Sequence, residues 1–259
     1  MACDRTPVTL VVTPLYYPPL VKAAEAGDIH QAEKLLREGH FVNRTTYLDQ
    51  TPLHLAALAG QNEMVLWLLE READPAMKDQ FGETPADNAR EQGNLDTEKI
   101  ILDYMQLIKR EQQAYVSGDW ELLRQLFKED GRQYTLLHIF AQTGNLPGVE
   151  SEIALGADVN SQTTLDLTPL HKSVYGENVE VVKCLLSVGA DINAVDFHNE
   201  TPLYLAASHQ QLEMIQIFLE TGGDPNIRAV PGNLTALEYA EYWGLTEVAN
   251  LLRNYKKSP

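Results

Sequence analysis

Short segments with apolar residues at helical spacing recur in pairs along this chain. In the stretch Thr168–Asn193, Leu170 and Val174 share one face of a first segment, and a second apolar stripe runs from Val181 to Leu186. Apolar residues three or four positions apart form the buried face of an amphipathic helix. The pattern therefore predicts two short helices joined by a tight turn.

The residues that flank these segments are typical helix boundaries. Thr168 can accept a hydrogen bond from an early helical N–H group, and Pro169 suits the first helical position. Gly189-Ala190-Asp191 follows the second segment, where a left-handed residue can end the helix. Two helices of this size cannot bury both of their faces alone, so neighbouring units must stack. We therefore predict a one-dimensional solenoid.

The same unit is repeated along most of the chain. Together with Thr168, near-copies begin at Thr51, Thr84, Thr135, Thr201 and Thr235, and successive starts lie 33, 51, 33, 33 and 34 residues apart. A period of 33 with TPLH at the front and GADxN at the back resembles the ankyrin repeat. The resemblance covers roughly residues 18–255. It implies an all-α solenoid, an ankyrin-repeat array of about eight helix-turn-helix units with short β-hairpin fingers.

The central segment departs from this pattern. No Gly or Pro occurs from Leu95 to Ser117, and Gly118-Asp119 then restarts the pattern of Gly27-Asp28. Two adjacent units are 8 and 7 residues shorter than the period of 33, and the losses fall where fingers belong. We predict that two central fingers are missing and that one long helix spans about residues 96–117. Two helices with a tight turn in Lys109–Gln113 are the alternative.

These observations divide the chain into four parts. Residues 1–17 form an N-terminal extended arm, for which a disordered tail is the alternative. Residues 18–108 form a front ankyrin block of about three repeats, and residues 109–255 form a back ankyrin block of about five. Residues 256–259 are a tail.

Charge and cysteine content restrict the class of partner. The net charge is −17, and no basic stripe is present, which argues against nucleic acid as a partner. The acidity favours either solubility of an elongated fold or attraction of a basic protein. Cys3 and Cys184 are the two cysteines, too few for a disulfide framework. We expect a monomer that does not insert into membranes and is cytoplasmic, or in the host cytosol if it is a translocated effector.

The histidines and carboxylates do not form a recognisable catalytic or metal-binding motif. His54, His138 and His171 occupy the same slot of their repeats, and the resemblance implies that they tie neighbouring units together by hydrogen bonds. We expect no cofactor, no metal site and no catalytic residue, since the repeats leave no room for a catalytic domain. An enzyme with a site in the irregular segment 104–134 is the alternative.

Aromatic and apolar residues in slots that do not pack the core suggest a partner surface. In ankyrin repeats the finger tips and the end of the first helix line a concave binding face, and aromatic residues are common anchors of interfaces. The corresponding slots hold Tyr47, Leu48, Leu58, Phe81, Tyr134, Leu165, Tyr175, Phe197, His198, His209, Tyr242 and Trp243.

From these slots we predict a non-catalytic module that binds another protein on its concave face, as an inhibitor, an adaptor or a targeting subunit. Five aromatics of the back block, Tyr134, Tyr175, Phe197, Tyr242 and Trp243, are expected to form one continuous stripe. A separate hypothesis concerns Asn193, which follows Leu185 and Asp191-Ile192 in a pattern that resembles the ankyrin asparagine-hydroxylation site.

Overall fold

The computed structural model describes residues 17–129 and 133–255. The predicted arm, apart from Tyr17, and the predicted tail 256–259 lie outside the described residues. The described residues form fifteen α-helices: α1 Pro19–Ala26, α2 Ile29–Arg37, α3 Pro52–Leu58, α4 Asn62–Glu70, α5 Pro85–Glu91, α6 Leu95–Ser117, α7 Trp120–Glu129, α8 Leu136–Thr143, α9 Leu146–Ala154, α10 Pro169–Tyr175, α11 Val179–Ser187, α12 Pro202–Ser208, α13 Leu212–Thr221, α14 Ala236–Tyr242 and α15 Thr246–Asn254.

Capping threonines start the inner helix of most repeats, as the sequence predicts. The Thr168 Oγ1 accepts a hydrogen bond from the His171 N–H, and Pro169 occupies the first turn. The Nδ1 atom of His171 accepts in return from the Thr168 N–H at 3.1 Å, which completes a capping box with histidine in place of the usual glutamate. This local arrangement explains why the TPLH sequence fixes the beginning of the helix.

The helices pair into eight units that stack side by side. Units 1 to 3 begin with α1, α3 and α5, and units 5 to 8 are the pairs α8–α9, α10–α11, α12–α13 and α14–α15. Helix α6 serves units 3 and 4 at once, since its first part packs on α4 and α5 and it then packs on α7. The prediction of one long central helix is confirmed, and no turn interrupts Lys109–Gln113. Among the described residues, no helix combines the length and the apolarity that a membrane span needs.

Polar side chains at the start of the outer helices bind the preceding unit. The Nδ2 atom of Asn178 donates to the Ala141 and Gln142 carbonyl oxygens at 3.1 and 2.9 Å. Asn94 makes the equivalent bonds to Ala57 and Leu58 at 3.1 and 2.9 Å. Each bond satisfies a carbonyl oxygen at the end of the preceding unit's inner helix. The same side chain therefore caps that helix and links the two units.

Among the described residues, five finger loops connect the units. We name each by the unit that it follows: finger 1 (43–50), finger 2 (76–83), finger 5 (160–167), finger 6 (193–200) and finger 7 (226–234). Each closes with a hairpin-type backbone bond, such as that from the Asp196 N–H to the Glu200 oxygen at 3.0 Å. No regular β-strand occurs among the described residues, and finger 7 contains an isolated bridge between Ala229 and Leu234. The predicted β-hairpins are therefore tight turns without extended strands.

Hydrogen bonds between neighbouring fingers create two separate rows. A hydrogen bond from the Gln80 N–H to the Leu48 oxygen, at 3.0 Å, joins fingers 1 and 2. A hydrogen bond from the Phe197 N–H to the Leu165 oxygen, at 3.0 Å, joins fingers 5 and 6. Another, from the Val230 N–H to the His198 oxygen at 2.8 Å, joins fingers 6 and 7. A finger after unit 3 would begin within the residues that form helix α6. The first row therefore cannot continue into the second.

The interior consists of two apolar clusters that meet at α6. Ile101 belongs to the front cluster, while Ala114, on the same helix, belongs to the back cluster. Phe197 crosses this division, because it lies on finger 6 but packs within the front cluster. The array therefore bends so strongly that its two blocks touch.

The contact between the blocks, which we call the seam, joins fingers 5 and 6 to the ends of the front outer helices. The Thr164 Oγ1 donates to the Glu70 oxygen at 2.7 Å, and the Arg37 guanidinium lies 4.4 Å from the centroid of the Phe197 ring. Lys172 Nζ lies 3.8 Å from a carboxylate oxygen of Glu72. The expectation of an elongated array is thus wrong in this respect: without central fingers as spacers, the blocks close on each other.

Candidate partner-binding face

The ends of the inner helices in units 6 to 8 expose aromatic side chains. Tyr175 ends α10 and Tyr242 ends α14 at equivalent positions, with 41% and 74% of their surfaces exposed. His209 and Trp243 follow at the next position of units 7 and 8, and Trp243 is 62% exposed. Because equivalent positions of stacked units are neighbours, these four side chains line one side of the back block. Four of the predicted slots thus lie together at the surface.

Ring contacts connect these side chains into two groups rather than one stripe. In the first group the Tyr175 and His209 rings lie 5.5 Å apart, and Lys172 Nζ lies 6.0 and 5.0 Å from the Tyr175 and Tyr134 rings. In the second, Trp243 contacts the Tyr242 ring at 5.2 Å. The predicted stripe of five aromatics is therefore interrupted, and Phe197 is not part of it.

Phe197 is buried rather than exposed. Only 6% of its surface is accessible, because the ring inserts into the front cluster beneath Arg37. Leu165 on finger 5 is half-buried and packs against the same cluster. The expectation that Phe197 is a solvent-facing anchor is wrong, since the sequence does not show that finger 6 meets the front block.

The front block presents its own exposed side chains on fingers 1 and 2. Tyr47 and Phe81 are exposed, and Leu48 is half-buried between the two fingers. Leu58, at the end of α3, is half-buried. These positions belong to the first finger row, so the predicted residues are divided between two surfaces.

Lys172 is a cation in an apolar slot. The equivalent positions of units 2 and 7 hold the buried Leu55 and Leu205, and Lys172 is itself 7% exposed. Burial lowers the pKa of Lys172, and the opposite charge of Glu72 limits that shift. Glu72 also departs from its repeat: its φ is 64°, in a slot that holds glycine in units 1, 5, 6 and 7. Two departures from the repeat pattern thus meet at the seam.

The histidines of the TPLH slots have the structural role that the resemblance implies. The Nε2 atom of His171 faces the Glu200 oxygen at 3.1 Å, and that of His138 faces the Leu167 oxygen at 3.0 Å. Each ring therefore ties its helix to the finger ahead. Burial lowers the pKa of both His138 and His171 to about 4, so both are neutral at pH 7. Burial lowers the pKa of His54 as well.

A cavity of about 730 Å³ lies beside the seam, where central fingers are missing. Tyr104, Glu111 and Tyr115 of α6 line it, and Glu72, Tyr134 and Lys172 face it from the two blocks. The alternative function, an enzyme with a site in 104–134, would need a pocket at this place. Its volume lies in the range of small-molecule sites.

Asn193 has a structural role that other repeats share. Its Oδ1 accepts from the Asp224 N–H at 2.8 Å, as the Oδ1 atoms of Asn160 and Asn43 accept from Asp191 and Asp74. Each of these Asn side chains thus links the start of its own finger to the Asp that lies just before the next finger. Hydroxylation at Asn193 stays a prediction.

One group of side chains was not anticipated from the sequence. Asp196, His198 and Glu200 on finger 6 bring potential ligand atoms within 4.8 Å of one another. Burial raises the pKa of Asp196, and burial together with the Asp196 charge raises that of Glu200 to about 8. The alternating spacing Asp-x-His-x-Glu is the signal that was available, but only a tight turn brings these three residues together.

Comparisons with known sequences agree with this architecture. A family described as "Ankyrin repeats (3 copies)" matches residues 111–196, 137–229 and 195–259, which together extend over more than half of the chain. A second, described as "Ankyrin repeats (many copies)", matches residues 35–89.

Curated relatives match parts of the chain. NF-kappa-B inhibitor alpha of Sus scrofa is 35% identical over 122 residues, which are 47% of this chain and 35% of that protein. The Homo sapiens protein is 34% identical over the same length. Serine/threonine-protein kinase 12 of Arabidopsis thaliana is 37% identical over 82 residues, 32% of this chain and 18% of that protein. The chain therefore spans about a third of the inhibitor's length.

Among solved structures, the human ASB11 ankyrin repeat domain aligns with 94% of this chain and 100% of its own, at 23% identity and a TM-score of 0.44. The family matches, together with the capped helix pairs and the histidine links between units, lead to one conclusion: this chain belongs to the ankyrin-repeat family.

Proposed function

We propose that this chain is a non-catalytic protein-interaction module that binds a partner protein along the inner-helix ends of its back block. The observation that carries the proposal is the exposure of Tyr175, His209, Tyr242 and Trp243, which occupy two adjacent slots in three stacked units. Aromatic side chains that are not needed for the core have large contact areas and few rotatable bonds, so they make favourable interface anchors.

The charge of the chain and its relatives support a proposal for the kind of partner. A net charge of −17 favours association with a basic surface by electrostatic attraction. One relative is named as an inhibitor of NF-kappa-B, which makes inhibition by masking a partner the first role to test, with adaptor and targeting roles as the others. A cytoplasmic site of action, or the host cytosol for a translocated effector, is part of the same proposal.

Site-specific photo-crosslinking tests the location of the interface. A photoreactive p-benzoylphenylalanine at position 243 should crosslink the partner, while the same group at Gln216, exposed on outer helix α13, should not. The captured partner is then purified and its affinity measured for wild type, Tyr175→Ala and Trp243→Ala. Loss of a central anchor should weaken binding by about 2 kcal/mol or more. Equal crosslinking from both positions, or unchanged affinity of both variants, would refute this interface.

A second candidate function is an enzyme with its site at the central segment 104–134; the cavity there is also lined by Lys172 and Glu72, which such a site would use. Such a site would be measured by incubating wild type and Lys172→Met with a metabolite library and following each compound by mass spectrometry. Consumption of a compound by wild type alone would support catalysis. If neither protein alters any compound while both bind the partner equally, the module interpretation stands.

A further inference from the structure

The tip of finger 6 places three side chains of metal-ligand type next to one another. Asp196, His198 and Glu200 alternate along the turn, and one potential ligand atom from each lies within 4.8 Å of the others. Phe197, between them in sequence, packs instead into the front cluster. The turn thus separates an apolar contact from a polar cluster.

Hydrogen bonds fix the backbone that carries these side chains. One carboxylate oxygen of Asp196 accepts from the N–H groups of His198 and Glu200, both at 2.9 Å. Asn199 adopts a left-handed φ of 58°, which reverses the chain between the second and third side chains. The neighbouring fingers hold the loop through Leu165 and Val230. A binding site on this loop would therefore be preorganised before any ligand arrives.

The two carboxylates lie in a poorly solvated position without a counter-charge. Asp196 is 7% exposed, and Glu200 is half-buried. Within residues 17–129 and 133–255 no lysine or arginine forms an ion pair with either of them, and Arg37, which covers Phe197, pairs with Glu33 instead. A carboxylate in such a position is unfavourable in its ionised form. A bound cation would remove that cost.

The corresponding side chains of other fingers show what is particular to finger 6. Finger 2 has Asp79, Phe81 and Glu83 at the same three positions, and finger 5 has Thr163, Leu165 and Leu167. Of these three fingers, finger 6 alone combines an imidazole with two carboxylates. The imidazole nitrogen is the ligand that favours a transition ion over calcium or magnesium.

We propose that Asp196, His198 and Glu200 bind one divalent transition-metal ion, with Zn²⁺ as the ion that this ligand set fits best. Zinc takes imidazole nitrogen and carboxylate oxygen at about 2.0–2.2 Å, and sites with three protein ligands are completed by water. The side chains of His198 and Glu200 are half-buried, so they can rotate toward the ion while Asp196 remains held by the turn. Because finger 6 also carries Phe197, bound metal would stiffen the seam. This proposal is independent of the proposed function.

Calorimetric titration of the full chain with ZnCl₂, after removal of metals by chelation, tests the site. Wild type should bind one ion. His198→Ala and Glu200→Gln should each weaken the zinc affinity at least about 10-fold. Even the loss of a residue that only supports a ligand commonly weakens metal binding by about 10–100-fold. His209→Ala, which removes an exposed histidine of the next unit, is the matched control and should bind zinc as wild type does.

A second measurement distinguishes a site from a folding defect. The Co²⁺-loaded wild type should show visible absorption bands of a low-symmetry site, which His198→Ala should lack although its circular dichroism is unchanged in metal-free buffer. Absence of zinc binding by wild type overturns the proposal. So does equal zinc affinity of wild type, His198→Ala and Glu200→Gln, which would mean that zinc binds elsewhere on the chain.

Discussion

The two finger rows contain the same kind of loop, yet equivalent positions have opposite environments. Tyr47 on finger 1 and Phe197 on finger 6 both stand four residues before the capping threonine of the next helix. Tyr47 is 53% exposed, whereas Phe197 is enclosed by the front block. The difference arises because the array bends at α6, so the back fingers meet the front outer helices. The repeat pattern defines a slot, but the curvature of the array decides what surrounds it.

The largest expected effect in the back block is a loss of stability in acid. Two histidines of the back block have pKa values lowered to about 4 from 6.5 in the unfolded chain, so their stabilising effect is complete above pH 6.5 and is lost as pH falls toward 4. A full shift of this size corresponds to about 3 kcal/mol for each group. Urea unfolding at pH 6.5 and 5.0, followed by circular dichroism in EDTA, should show lower stability at pH 5.0.

One carboxylate acts against this trend and supplies a control. The pKa of Glu200 is raised to about 8 from 4.5, so its contribution is complete below pH 4.5 and is lost as pH rises through 8. The decrease in stability on acidification should therefore be steeper in Glu200→Gln than in wild type. Equal stability of Glu200→Gln at pH 6.5 and 5.0 would show that the buried histidines do not control acid unfolding.

Phe197→Ala tests whether the seam contributes to stability. Removing a buried Phe side chain commonly costs about 3–5 kcal/mol, because apolar contacts are lost and a cavity remains. Tyr47→Ala removes the exposed aromatic of the equivalent slot and should change the free energy of unfolding by less than about 0.5 kcal/mol. Urea denaturation of both variants makes the comparison, and similar values for the two would show that Phe197 is not enclosed in solution.

A double-mutant cycle on Glu72 and Lys172 tests whether their departures from the repeat compensate each other. Glu72→Gly relieves the left-handed backbone but leaves the buried ammonium group of Lys172 without its partner. Lys172→Leu restores the apolar residue of units 2 and 7. The double variant should be more stable than the sum of the single effects predicts, by about 1 kcal/mol. Additivity in urea denaturation would mean that the two residues do not interact.

The smallest change is expected at the exposed end of the back block. Tyr242→Ala removes a side chain that is outside the core, so the free energy of unfolding should change by less than about 0.5 kcal/mol. Val248→Ala, on the buried face of α15, is the contrasting variant and should cost more. Thermal melts of both variants provide the measurement. A large loss in Tyr242→Ala would identify Tyr242 as a packing residue and weaken the proposed interface.

The sequence by itself determined the features that depend on neighbouring residues. Thr168 and Pro169 fix a helix start through bonds within one turn, and the spacing of Leu170 and Val174 fixes the buried face. The absence of Gly and Pro from 95 to 117 predicted the continuous α6. The ankyrin resemblance implied the linking role of His54, His138 and His171, and the structure confirms it, because their bonds reach only the next finger at a constant separation along the chain.

Only the tertiary structure decided what lies across the seam. Phe197 and the front cluster, Thr164 and Glu70, and Lys172 and Glu72 are far apart in sequence, and no repeat period relates them. Their contact depends on the curvature of the whole array. That curvature is the combined result of the small rotations between stacked units and of the missing fingers. A repeat pattern reports the packing between adjacent units, so it can identify each slot while leaving open whether that slot faces solvent or the other end of the molecule.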